Sequence, residues 1–412
     1  MQDKDTTKST FDQLFMPINN TIFSQQLADL EVDKYFKKLN TQQLVELIAH
    51  AQLKQQKSLR DVSNSFNNGE FSQAIHCDSF SASQISRRLR DLPPEVLQLL
   101  LQSNIVEISK EIGFGAITQG IGRIYLIDSS TISLCLSRYR WAEFRTTKSG
   151  IKLHQRLRFC EAGVIPDKAI VTPAKPADKT QMNELVVEDE DAINVFDRGY
   201  LDYKKFDEYC ANGIRFVTRL KSNAKIEVVQ ELPVVPTGLI KKDQIVYLGT
   251  KGINQMEYPL RLIETEDTQG KPIIIITNDF KLSTEEISDI YRYRWQIELF
   301  FKWIKQHCHV KHFYGTSQQA VENQLFIALI TYCLLMLLKL KTGYKGSLLI
   351  IDRFVNACLY EPFTVFVQKL YRKSQRSSKG RRRISYEKIF EETLMQVMAG
   401  EADYLDDLTY DP

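Results

Sequence analysis

The sequence predicts an α/β protein built on a mixed sheet, with helical segments before and after it. Three observations carry this. Residues 1 to about 105 space their apolar positions by three and four, as in Leu44, Leu47 and Ile48. From about residue 122, apolar strands follow one another and then alternate with helical stretches. From residue 283 through about residue 340 the helical period returns.

In the first segment, SLRDVSNSF and SASQISRRLRDLPPEVLQLLL read as helices separated by a polar loop. Ser81 and Gln84 have capping-box spacing. The helix they open is expected to bury Ile85 and Leu89 and to expose Arg87, Arg88 and Arg90. Two short helices with arginines on the second have the pattern of a helix-turn-helix DNA reader; a solvated helical face is the bland alternative.

The strands come next. GRIYLIDSSTISL approaches Asp128 through apolar residues, GIKLHQRLRF alternates, and KAIVTP is a short third strand. QMNELVVEDED reads as helical, and AINVFDRGY is an apolar strand ending at Asp197. LDYKKFDEYCANG is a helix closed by Gly213, and IRFVTRL is the next strand. VVQELPVVP, QIVYLGT, YPLRLIET and KPIIIITND form a β-rich stretch, 222–278, punctuated by Gly, Pro and Asn. Near the end, seven bases and no acid lie between Arg372 and Arg383, and an acidic tail runs from Glu401 to Asp411. The basic run reads as a nonspecific DNA arm or a solvated loop. There is no internal repeat.

Composition narrows the function classes without choosing one. The chain has 412 residues, 43% hydrophobic and 25% charged, enough for two or three domains at roughly 150 residues each. A formal net charge of +3 permits a nucleic-acid partner but does not demand one. Seven cysteines stand singly with no CxxC pair, which argues against a disulfide framework or structural zinc and fits a reducing cytoplasm. The polar start MQDKDTTKST shows no secretory signal. The longest apolar run, Leu325 to Leu338, has 14 residues, short of the roughly 20 that span a bilayer, and reads as a buried core helix. No membrane partner is expected.

The stretch YRYRWQIELFFKWIKQ, residues 291–306, holds four bases and six aromatics around one acid, Glu298. Ser283 and Glu286 form a capping box ahead of it. At about 100° per residue, with Tyr291 at zero, Arg294 falls near −60°, Glu298 near −20° and Lys305 near −40°. Ile297, Phe300, Trp303 and Ile304 lie opposite, facing a core. Alone, this stripe would be a salt-bridged surface, Arg294 and Glu298 being an i,i+4 pair. Asp128 and Asp197, each closing an apolar strand, change that reading, because carboxylates at strand ends gather where sites form. Three acids on two strands and one basic helix point to a divalent-metal site. Oxygen-only ligands suit Mg²⁺ or Mn²⁺, and two ions can activate an attacking hydroxyl and stabilise a leaving oxygen. A phosphodiester is the substrate that also gives the neighbouring bases a purpose.

At this point the residues carry a resemblance. Tyr291-x2-Arg294-x3-Glu298-x6-Lys305 resembles the Y-R-E-K signature of bacterial DDE transposases of the "insertion sequence four" family. IDSSTISL and FDRGYLDY look like its two aspartate blocks, and GIKLH is similar to its second strand. The resemblance covers roughly residues 120–340. It implies an RNase H-like catalytic domain over 120–221 and 279–345, with the β-rich insertion at 222–278. Residues 1–110 would be a helical DNA-binding domain, and 346–412 a C-terminal helical region with the basic run and acidic tail.

The resemblance also implies roles. Asp128, Asp197 and Glu298 would be the catalytic, metal-binding triad for Mg²⁺ or Mn²⁺, two ions in number. Tyr291, Arg294 and Lys305 would contact DNA phosphates, and Trp295 would hold a flipped base or else pack in the core. The expected activity is cut-and-paste transposition through a hairpin intermediate. The expected partners are double-stranded DNA, as terminal inverted repeats and target, and a second copy of the chain on that DNA. The expected location is the bacterial cytoplasm, at the nucleoid.

Other signals are discounted. HCHVKH, 307–312, lacks zinc-finger spacing. His154 is read as packing or phosphate-contacting, since two-metal chemistry needs no histidine base. Ser129 and Ser130 lack the GxSxG context of a nucleophile. Three rivals remain: a metal-dependent nuclease or resolvase on the same fold, a non-catalytic DNA-binding regulator, and, distantly, a glycosidase with paired carboxylates.

Overall fold

The computed structural model describes residues 8–372, apart from 37, 113–120, 161–162, 235–239, 267–270, 309 and 311. The basic run beyond Arg372, the acidic tail and most of the expected junction between residues 110 and 120 lie outside the described residues.

Seven helices come first: α1 (Thr10–Phe15), α2 (Thr21–Asp29), α3 (Thr41–Leu53), α4 (Leu59–Asn64), α5 (Gly69–Ile75), α6 (Ala82–Asp91) and α7 (Pro94–Ile112). Asn and Ser side chains cap most of them, with the Ser81–Gln84 box opening α6 as its spacing predicts. The two helices read as a helix-turn-helix are α4 and α6, and α5 intervenes. Ile85 and Leu89 are buried, and Arg87 and Arg90 are exposed. Arg88 corrects the expectation. It is buried, bonded to Asp33, to Thr41 Oγ1 at 2.8 Å and to the Leu39 carbonyl, with its guanidinium 3.9 Å from the Phe36 ring centroid. It pins α6 to the Val32–Thr41 segment, where an acid, a hydroxyl and carbonyls satisfy a charge that apolar burial would penalise.

The strands are β1 (Arg123–Leu134), β2 (Glu143–Arg145), β3 (Lys148–Cys160), β4 (Gly163–Pro173), β5 (Ala192–Phe196), β6 (Arg215–Arg219), β7 (Ile226–Glu231), β8 (Ile240–Leu248), β9 (Leu260–Glu266) and β10 (Pro272–Thr277). Among the described residues they form one ten-stranded sheet, ordered β2-β3-β1-β5-β6-β10-β9-β8-β7, with β4 also pairing β3. β1, β5 and β6 run parallel and the other pairings are antiparallel. The β-rich stretch therefore extends the central sheet edge to edge through β10 and β6. The stretch QMNELVVEDED is helical only over α8 (Met182–Leu185). α9 (Tyr203–Ala211) precedes Gly213, whose φ of +69° supplies the left-handed turn expected of it.

The remaining helices are α10 (Thr284–Tyr293), α11 (Trp295–His307), α12 (Gln318–Thr342), α13 (Leu348–Cys358) and α14 (Phe363–Leu370). Every position from Leu325 to Leu338 of α12 is buried, as expected of a helix apolar on all sides. The full helix is long and apolar enough to cross a membrane, but 78% of its most apolar stretch is covered by the rest of the chain. It packs against α3, α6, α7 and α13. Gln52 Nε2 donates to the Gln324 carbonyl and Asn323 Nδ2 to the Leu89 and Leu92 carbonyls, so the N-terminal helices and α12 share one core.

Candidate active site

Asp128 is not at a strand end as its sequence context implies: β1 continues to Leu134. What ends is its parallel partner. Register pairs run to Ile127 with Phe196, so Asp128 and Asp197 come next, side by side where β5 stops. Alternation along β1 puts Leu126 and Ile132 in the core shared with α11 and α12, and Ile127 in a second core with Phe196 and Tyr200. Asp128 thus faces the α11 side.

Each aspartate has one oxygen tied to the backbone. The Ser129 amide donates to Asp128 Oδ1 at 2.7 Å, and the Gly199 amide to Asp197 Oδ1 at 2.7 Å. Gly199 lets that carboxylate sit close: a Cβ there would lie 2.9 Å from Asp197 Oδ1, so the carboxylate would have to shift.

Glu298 arrives on α11. The helix expected to be continuous is broken at Arg294, which ends α10 and begins α11. The amides of Arg294 and Ile297 reach back only three residues, to Tyr291 and Arg294, tightening one turn. The capping box Ser283–Glu286 starts α10 as predicted. Ahead of it, Arg215 Nε donates to Asp279 Oδ2 at 2.7 Å, and Asp279 Oδ1 accepts from the Lys281 and Leu282 amides, anchoring the entry to the sheet. Ile297, Phe300 and Ile304 are buried as expected, and Trp303 is half-buried. Phe300 meets the edge of Tyr332 at 5.0 Å, and Tyr332 donates to the Val164 carbonyl, seating α11 on α12 and β4.

The electrostatics centre on Arg294, which is buried rather than presented to solvent. Its Nη1 lies 2.8 Å from Glu298 Oε1 and 3.7 Å from Asp128 Oδ2. Its guanidinium sits 5.7 Å from the Tyr291 ring centroid and 4.9 Å from that of Trp295. Burial works against its charge, but Tyr291, Glu298, Asp128 and Asp197 hold its pKa above the ordinary arginine value. Burial, then the Asp197 charge, raises Asp128 well above the usual carboxylate range, against the pull of Arg294. Glu298 is raised by burial first and by Asp197. The three acids therefore share one electrostatic site. With all ionised, three carboxylates and one guanidinium leave a formal charge of −2.

Among the described residues no three acid, histidine or cysteine side chains form a ready-made metal cage. The donor set nevertheless fits a hard cation. It consists of carboxylates only, the Asp197 charge helps raise the pKa of Asp128 and Glu298, and a guanidinium bridges those two where a divalent ion would compete.

Tyr291 is buried, and Trp295 and Lys305 are half-buried. Lys305, seven residues after Glu298, lies about 10 Å further along the same helix face. His307 is half-buried against Trp303, and His309 lies outside the described residues. His154 is fully buried, with Nε2 2.9 Å from Thr172 Oγ1, and burial lowers its pKa to about 4. Sequence reasoning missed Asp178, Tyr200 and Gly199. Burial and then the charges of Asp128, Asp178 and Asp197 push the Tyr200 phenol upward, which puts a fourth carboxylate beside the site. The signal for Asp178 was an acid just past the apolar run KAIVTP.

The family described as transposase DDE domain matches residues 119–334, and one described as a domain of unknown function (DUF4372) matches residues 6–70. The probable transposase for insertion sequence element IS5377 of Geobacillus stearothermophilus is 28% identical over 262 residues, 62% of this chain and 67% of that protein. The putative transposase y4zB of Sinorhizobium fredii is 32% identical over 250 residues, 59% of this chain and 68% of its own. The putative transposase for insertion sequence element IS4SA of Synechocystis is 27% identical over 252 residues, 60% and 69% respectively.

Proposed function

We propose, on the premise that this chain belongs to the transposase DDE domain family, that its three converging carboxylates are the cutting and joining centre of a cut-and-paste element. The chain is a DDE transposase, an enzyme of an insertion sequence that acts on DNA. The finer reading assigns it to the Y-R-E-K subfamily, with an RNase H-like fold over 120–221 and 279–345 and an N-terminal DNA-reading domain.

The observation that carries the reading is geometric: the β1–β5 register sets Asp128 beside Asp197, and one buried guanidinium joins Asp128 to Glu298. DDE transposases generally use divalent metal ions, and here we take Mg²⁺ or Mn²⁺, two ions, held by these three side chains. When bound, such ions supply Lewis acidity and lower the pKa of an attacking water. The chain's own residues do the rest. Asp128 and Asp197, each steadied by a backbone amide, fix the angle at which their remaining oxygens meet a ligand. Arg294, displaced from Glu298, is placed to pair with a phosphate of the cut strand, and Lys305 with one about two helical turns away. Tyr291 backs Arg294, and Trp295 offers an indole face to an unstacked base.

In the reaction, water attacks the phosphodiester at the element's end, and the 3′-oxygen leaves as a hydroxyl. That hydroxyl attacks a phosphodiester of the opposite strand to close a hairpin, and the flanking DNA leaves with a 3′-hydroxyl. A second water hydrolyses the hairpin to free the 3′ end again, and the 3′ ends attack target phosphodiesters, each releasing a 3′-hydroxyl of the target. Two ends must meet, so a homodimer on DNA is part of the proposal, as is action at the bacterial nucleoid.

The test is an assay with labelled DNA carrying the element's own terminal repeats and a target plasmid. Wild type with Mg²⁺ is expected to give nicks, hairpins and joined products, and Asp197→Ala and Glu298→Ala none. Cutting without joining would assign a nuclease instead. Full activity in both variants would remove the catalytic reading.

A further inference from the structure

We propose that Asp178 is a positioning residue for the transposase site, holding Ser129 from the opposite face of the sheet so that the Ser129 amide orients the Asp128 carboxylate. The inference rests on the reading of Asp128 as a catalytic carboxylate.

Side chains alternate along β1, so Asp128 and Ser129 point to opposite faces. Ser129 Oγ donates to Asp178 Oδ1 at 2.6 Å, and the same residue's amide donates to Asp128 Oδ1 at 2.7 Å. Ser129 is thus held by its hydroxyl on one face while its backbone holds the acid on the other. Asp178 is itself fixed. Lys152 Nζ approaches it at 3.0 Å and also donates to the Pro176 carbonyl at 3.0 Å. His154 Nδ1 lies 3.9 Å away on a fully buried ring that Thr172 locks from the other nitrogen.

The register explains the convergence. Ser129 pairs with His154 and Thr131 with Lys152, so the two β3 side chains share the Ser129 face two residues apart. The loop after β4 lays Asp178 over them. Three elements therefore meet at one carboxylate whose hydroxyl partner is adjacent in sequence to the triad's first acid. A salt bridge serving only to staple the loop would need Lys152 alone; the Ser129 bond is what links it to the site. With Oδ1 of Asp128 held, its Oδ2, the oxygen facing Arg294, is the one left to meet a cation.

Groups that orient a metal ligand from behind typically change metal affinity or activity about 10–100-fold when removed. The experiment uses the full chain, with Mn²⁺ binding followed by paramagnetic resonance and single-turnover cleavage of terminal-repeat DNA. Asp178→Ala and Ser129→Ala are each expected to weaken Mn²⁺ binding and lower kcat by about 10–100-fold. The DNA concentration at half-maximal rate should not change. Ser129→Thr, which keeps the hydroxyl, should behave as wild type, and the double alanine variant should be no worse than either single one. If Asp178→Ala fails to fold, Ser129→Ala, which deletes one oxygen, decides. Unchanged Mn²⁺ affinity and kcat with only a lower melting temperature would overturn the proposal. So would a raised half-maximal DNA concentration at intact kcat. If wild type takes up Mn²⁺ and cleaves while the variants match it, the inference alone fails; if wild type does neither, the catalytic reading fails with it.

Discussion

Replacing Arg294 with methionine removes the guanidinium that pairs with Glu298 and Asp128 while keeping an unbranched stem to the ε position. Its guanidinium bonds Glu298 at 2.8 Å and lies 3.7 Å from Asp128, and the three side chains are 10%, 22% and 18% exposed. Breaking a buried ion pair costs about 3–5 kcal/mol, and partial exposure of the carboxylates argues for the lower end, about 3. At roughly 2.1 cal/mol/K per residue over 412 residues, this lowers the melting temperature by about 3–4 °C. The deficit has a pH sign. Asp128 and Glu298 already have folded pKa values above their ordinary 3.8 and 4.5, and loss of Arg294 raises them further. A raised carboxylate favours the folded state below its unfolded pKa, and that advantage disappears as pH rises through the folded value. The variant should therefore fall further behind wild type as pH rises from the ordinary carboxylate range, about pH 4, towards pH 8. A divalent cation should restore it: at about one hundred times its dissociation constant it adds about 2.7 kcal/mol. Thermal melts with and without Ca²⁺ or Mn²⁺ across that pH range measure each term. A variant that melts with wild type at pH 8 without metal, or that gains no more from metal than wild type does, would refute this account of Arg294.

Three other perturbations follow from the geometry. Gly199→Ala places a methyl 2.9 Å from Asp197 Oδ1 and displaces the carboxylate, so melting should stay near wild type while DNA cleavage falls about 10–100-fold; full activity would show that the Gly199 contact is dispensable. Phe300→Ala empties the space between α11 and Tyr332 and should cost about 3–5 kcal/mol in urea unfolding. Glu46, buried beside Asn19 with its pKa raised to about 7, should contribute stability below pH 4.5 that is lost as pH rises through 7. Glu46→Gln should thus stabilise the protein at pH 8 by up to roughly 3 kcal/mol and leave it little changed at pH 5, read by urea melts at both values.

Much of the fold was legible because its signals are local. Alternation and apolar runs gave the strands, and the boxes at Ser81 and Ser283 marked helix starts to the residue. What local pattern cannot encode is pairing. That the stretch 222–278 would join the central sheet depends on β10 meeting β6, residues some sixty positions apart. Arg88 reads as exposed by its charge, yet Asp33 and Thr41, distant in sequence, make its burial affordable. In the site, residue types and spacing brought Asp128, Asp197 and Glu298 together on paper, and the fold sets them within one electrostatic field. The break at Arg294 was not legible, because 3.6-residue arithmetic assumes an unbroken helix. Asp178 was missed because a lone acid after a strand has no periodic signature, and only the β1–β3 register reveals its partners.

The central claim is that these three acids together hold a divalent cation. The direct measurement is a crystal of the protein with terminal-repeat DNA, soaked in Mn²⁺ and measured at the manganese edge. The account predicts anomalous density between Asp128, Asp197 and Glu298, with the Arg294 side chain swung off Glu298. Manganese bound elsewhere, with Arg294 still bridging Asp128 and Glu298, would contradict it.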